Sequence, residues 1–141
     1  MIVKKSAGFE EIPHTADLEL HVWGEDLPSL FRQAVRGMYQ LLDIQEDSRG
    51  EEALHRNLSL EAMDEEGLLV RLLEELLYLA AEEGQAFRID SLTISPDWTL
   101  RASLSGRQIA GFRRDIKAVT YHNLEIFSTE DGREVNIVFD I

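Results

Sequence analysis

A chain of 141 residues fits one domain spanning 1–141, and at this length about 68–70% of the unfolded surface can be buried. With 44% hydrophobic and 29% charged residues, and no apolar run near the ~18 residues of a spanning helix, no membrane association is expected. Fourteen Lys and Arg against 27 Asp and Glu leave a net charge of −13, which argues against strong free-standing nucleic-acid binding.

Zero cysteines exclude a disulfide framework, a thiolate metal site and a Cys nucleophile. The start, MIVKKSAGFEE, has basic residues but no apolar segment behind them, so a cytoplasmic location is the expectation. The charge is uneven along the chain. Residues 61–83 hold eight acids and one base, while 101–117 hold Arg101, Arg107, Arg113, Arg114 and Lys117 against Asp115 alone. That basic stretch is either a solvated loop or a docking surface for an anionic partner.

In chain order, Asp17 to Trp23 alternates, with Leu18, Leu20 and Val22 on one face, and predicts a half-buried strand ending at Gly24. Leu27, Leu30, Phe31, Ala34, Val35, Met38, Tyr39 and Leu42 follow helical spacing, with Asp26 or Ser29 as the cap. Asp43 to Glu52 is acidic and without period, which predicts a connection. Leu58, Leu60 and Ala62 alternate with polar residues, giving a second strand over Arg56–Met63. A second helix is expected from Glu65 to Glu83, capped by Asp64 and stopped by Gly84.

Only strands are expected after that. Phe87–Ser95 and Trp98–Ser105 flank a Pro96-Asp97 turn, and Lys117–Thr129 and Arg133–Phe139 flank Glu130-Asp131-Gly132. Two helices packed on a mainly antiparallel sheet is the α+β layout these elements imply.

The familiar catalytic signatures are missing: the sequence has no GxGxxG, no phosphate loop, no GxSxG and no HExxH. Of the four histidines, His21 lies in the outward register of its strand and His55 in a polar context, so both are expected to be surface residues. His14 and Asp17 are three residues apart before a strand, and could share one side of a turn. By spacing alone the favoured reading is structural, with Asp17 capping the turn and His14 bonding the backbone. At the other end, Asp140 and the α-carboxylate of Ile141 are adjacent like charges that need a cation or basic partner if ordered. Lys117 to His122 alternates, with Lys117, Val119 and Tyr121 on one face and Ala118, Thr120 and His122 on the other.

Together, Phe9-Glu-Glu-Ile-Pro-His-Thr-Ala-Asp17, Lys117-Ala-Val-Thr-Tyr-His122 and Val138-Phe-Asp-Ile141 resemble the archease family over essentially the whole chain. The resemblance implies a small α+β domain built on a strand–helix–strand–strand unit with an insertion. It implies a protein cofactor, not an enzyme, that activates an RtcB-type tRNA-splicing RNA ligase by promoting its guanylylation and multiple turnover. Contact with GTP or guanylate and with tRNA would be indirect, through the ligase. The family's metal site falls on Asp17, Asp140 and the terminal carboxylate of Ile141, with Ca2+ or Mg2+ as the ion. The lysine and histidine of its KAxTYH motif fall on Lys117 and His122, and His14 belongs to the same activation surface.

Two other readings compete. One is a metal-dependent hydrolase or phosphoesterase using Asp17, Asp140, His14 and His122. The other is a generic adaptor or chaperone domain whose acidic surface binds a basic partner.

Overall fold

In a computed structural model of the chain, residues 6–13, 17–47 and 53–141 are described. The elements in order are β1 (Gly8–Ile12), β2 (Leu18–Gly24), α1 (Leu27–Leu42), β3 (Ile44–Glu46), β4 (Leu54–Glu61) and α2 (Glu65–Glu83). They are followed by β5 (Gln85–Ile94), β6 (Thr99–Phe112), β7 (Ala118–Val119), β8 (Phe127–Thr129) and β9 (Gly132–Asp140). Two helices against antiparallel strands make this an α+β fold.

The strands divide between two sheets. The first runs β1-β2-β9-β7, with β8 also paired to β9, and the second is built on β6, which pairs with β3, β4 and β5. Every described pairing is antiparallel.

Both helices begin as their sequences dictate. Asp26 Oδ1 accepts the Ser29 N–H at 2.8 Å, and Asp64 Oδ1 accepts the Gly67 N–H at 2.7 Å, each satisfying a first-turn donor that the helix itself cannot. Gly84 ends α2 with φ +63°, a left-handed conformation open to glycine at little cost. The apolar stripes form one buried cluster that includes Leu30, Phe31, Met38, Leu69, Leu72, Leu76, Leu20 and Phe139. Gly37 lets α1 lie close on the first sheet, since a Cβ there would collide with the Leu20 side chain and press on Phe9. No polar side chain among the described residues is buried in the core.

The structure departs from the sequence-based expectation in five places: β1 forms ahead of the strand expected first, the strands make two sheets in place of one, and three segments differ in detail. The aperiodic segment after α1 contains β3, a short strand that pairs with the end of β6. That pairing carries β6 on to Phe112, well past Ser105. The strand expected over Lys117–Thr129 is broken into β7 and β8. Asn123 takes a left-handed φ of 53° and the Leu124 N–H donates to the Tyr121 carbonyl, so the chain turns where alternation suggested extension.

Candidate site at the end of the central strand

β9 is the strand on which the candidate residues converge. Its last residues lie between β2 on one side and β7 on the other. The β2–β9 register ends on the Leu18–Phe139 pair, so Asp17 and Asp140 each stand one residue beyond it. Phe139 is fully buried, and alternation turns the next residue to the opposite face, where Asp140 is exposed. Across the other edge, Ala118 is the register partner of Asp140. The Lys117 N–H donates to the Asp140 carbonyl at 2.8 Å, and the Thr120 N–H to the Val138 carbonyl at 3.0 Å.

One end of the first sheet therefore carries Asp17, Asp140, Ile141 and Lys117. Ile141 is 52% exposed and Lys117 is exposed. Among the described residues, the side chains of Asp17, Asp140 and Lys117 form no hydrogen bond or ion pair.

The donors at this end are all carboxylate oxygens, the chemistry a hard cation such as Ca2+ or Mg2+ takes. Only two of them come from side chains. Among the described residues no group of three or more His, Asp or Glu side chains could hold a metal ion. His14 lies outside the described residues.

His122 sits in the turn after β7, exposed, with its N–H donating to Thr120 Oγ1 at 3.2 Å and its Nε2 3.3 Å from the Asn123 amide nitrogen. The structure does not join it to Asp17 or Asp140 by any hydrogen bond. Tyr121, 61% exposed, reaches toward the first turn of α2, and a Cβ on Gly67 would lie 3.9 Å from its hydroxyl. The turn is anchored by Glu66, whose Oε2 accepts the Ile126 N–H at 2.9 Å. Arg133, at the start of β9, adds a second tie to the same helix end through both carboxylate oxygens of Glu65, at 3.1 and 3.3 Å. Sequence reasoning missed Glu66. Its only signal was an acid in a helix's first turn, which ordinarily complements the helix dipole.

The basic stretch is mostly neutralised by the protein's own acids. Arg107 pairs with Glu46, Arg113 with Asp43 at 3.6 Å and Arg114 with Glu11 at 3.3 Å. Arg101 and Lys117 alone of the five are without such a partner among the described residues.

His55 is exposed as expected, with Nδ1 3.3 Å from Ser105 Oγ. His21 faces outward but is not freely exposed. Its Nδ1 lies 3.2 Å from Glu10, its Nε2 3.6 Å from Glu134, and its ring centroid 5.2 Å from that of Trp23.

Comparison with known proteins follows the same outline. The model of the Archease protein family matches residues 9–141. The protein named archease from Methanosarcina barkeri is 32% identical over 141 residues, covering 94% of this chain and 95% of that protein. The solution structure of Methanobacterium thermoautotrophicum protein 1598 superposes with a TM-score of 0.69 at 24% identity, over 95% of this chain and 99% of the other. A Thermotoga maritima crystal structure, described as an archease and possible chaperone, gives 0.65 at 22% identity over 94% and 96%. Below 25% identity these two likenesses carry the fold alone.

Proposed function

The chain belongs to the archease family, and on that premise we propose that it is a protein cofactor of an RtcB-type tRNA-splicing RNA ligase. It would promote guanylylation of the ligase and restore its turnover, meeting guanylate and tRNA only through that partner. It would act in the cytoplasm without being an enzyme itself.

The observation that carries this reading is the tie between Lys117 and Asp140 at the end of β9. It fixes the main chain of the exposed Lys117 to that of the exposed Asp140 at the end of the sheet, where another protein's active site can approach. Asp17, Asp140 and the α-carboxylate of Ile141 would hold Ca2+ or Mg2+. Such an ion would supply positive charge and offset the mutual repulsion of the carboxylates. Lys117 would then face the ligase and stabilise phosphate charge that develops during guanylyl transfer. His122 and the turn around it would form the rim of the same contact, and the family resemblance adds His14 to the residues of ligase activation.

Multiple-turnover ligation by a purified ligase, with and without this protein, tests the reading. Stimulation only when both proteins are present is the expected result. The chaperone description attached to the Thermotoga structure belongs to a second reading, an acidic adaptor for a basic partner. That reading predicts protection of a partner from aggregation with no change in guanylylation rate.

A further inference from the structure

The arginines of α1 are placed unlike the other charges of this acidic chain. Helix α1 contains Arg32 and Arg36 and not one Asp or Glu from Leu27 to Leu42. Both line a cleft of about 430 Å3 between α1 and β5, where Arg88 joins them from the facing strand. That volume lies within the range of small-ligand sites, about 300–1,000 Å3. Val35, Tyr39, Phe87 and Ile89 supply its apolar wall.

The three guanidiniums are differently engaged. Arg32 donates from Nη1 to the Ile89 carbonyl at 2.7 Å, which bridges helix and strand and holds its fork at the cleft. Arg88 contacts Asp90 at 3.3 Å and is 81% exposed. Arg36 is exposed and makes no hydrogen bond or ion pair among the described residues.

Tyr39 adds a further donor. Its hydroxyl oxygen accepts the Phe87 N–H at 3.0 Å, while its own proton has no acceptor among the described residues. A phenol carries one donor as well as its acceptor capacity, and one placed at a cleft can bond a ligand oxygen.

We propose that the α1–β5 cleft is a binding site for a small phosphorylated ligand with a flat apolar body, of the nucleoside monophosphate class. The planar guanidinium fork matches phosphate oxygens two at a time and also stacks on flat rings. The apolar wall gives the body of such a ligand a surface to cover, and a bare inorganic anion would leave that wall unused. No residue of this cleft belongs to the end of β9, so the proposal stands whether or not the chain activates a ligase.

The test is titration of AMP into isotope-labelled protein, followed through backbone amide shifts, with adenosine and inorganic phosphate as parallel arms. The expected result is shifts at Arg32–Tyr39 and Phe87–Ile89, with AMP binding more tightly than either fragment. Arg36→Glu should weaken AMP binding by about tenfold or more, as loss of a charge-assisted phosphate contact requires. Arg101→Glu, an identical charge change at an exposed position outside the cleft, should leave it unchanged. Arg36→Ala serves if the reversal disturbs folding, and should weaken binding in the same direction. Shifts elsewhere, no binding, equal loss in Arg36→Glu and Arg101→Glu, or phosphate binding as tightly as AMP would each overturn the proposal.

Discussion

The backbone N–H of Lys117 donates to the carbonyl of Asp140 across 2.8 Å, a main-chain bond between a basic and an acidic residue whose side chains form no ion pair with each other. The two positions are coupled through the main chain. Either side chain can be changed without losing the bond that places the other. That separation of scaffold from charge makes the region testable by substitution.

The turn carrying Tyr121 and His122 depends on a contact from the first turn of α2, distant in sequence but adjacent in the fold. Glu66→Ala removes the acceptor of the Ile126 N–H and leaves a partly buried donor unpaired. The expected loss is about 1–3 kcal/mol. Amide exchange should rise across the turn from Thr120 to Ile126 while α2 stays protected. Unchanged exchange in this variant would show that Glu66 does not hold the turn.

Tyr39 makes the stability depend on alkaline pH. Burial raises its phenol from 10.0 to about 12, opposed in part by the Phe87 N–H, which favours the phenolate. The folded value lies above the unfolded one, so the neutral form is favoured by folding. Its contribution is complete below pH 10.0 and is lost as pH climbs through about 12. Denaturant midpoints should fall over that window in the parent protein. In Tyr39→Phe the fall should be smaller, on a baseline lowered by about 1–3 kcal/mol for the orphaned Phe87 N–H. An equal fall in both proteins would remove Tyr39 as its source.

The helices were legible because each joins a capping aspartate to an unbroken 3.6-residue stripe; Asp26 and Asp64 cap where the pattern begins. β3 was not legible. Three residues inside an acidic segment show no alternation, and the strand exists because the end of β6 offers it a partner. The break between β7 and β8 was hidden for a related reason. Lys117 to His122 alternates, but Asn123 in a left-handed conformation ends the extension. At the site, Asp17 and Asp140 drew attention through local motifs, whereas their common position beyond Leu18 and Phe139 is a property of strand pairing. Glu66 and Ile126 are 60 residues apart, a separation no local pattern encodes.

Metal binding is expected to need both the Asp140 side chain and the α-carboxylate of Ile141. Appending a few residues after Ile141 moves that carboxylate away and leaves β9 intact, and Asp140→Asn removes one ligand charge at an exposed position. Calorimetry with Ca2+ should show markedly weaker binding in each. Full affinity in the extended protein would eliminate the terminal carboxylate as a ligand.

Lys117→Ala is expected to abolish ligase activation and leave the fold intact. Lys117 is exposed, its side chain has no partner among the described residues, and the bond it makes to Asp140 uses its main chain. Surface changes of this kind stay within about 0.5 kcal/mol, so the melting temperature should barely move. On the proposed function its ammonium would stabilise phosphate charge in the partner's active site. Losing one such contact costs on the order of 3 kcal/mol in the transition state, about a hundredfold in rate. The measurement is ligase guanylylation beside thermal melting for Lys117→Ala and Lys117→Arg. Arginine keeps the charge but spreads it over a planar fork, so partial activity is expected from it and almost none from alanine. Normal activation by the alanine variant would take Lys117 out of the mechanism, and a lowered melting point would assign it a structural role instead.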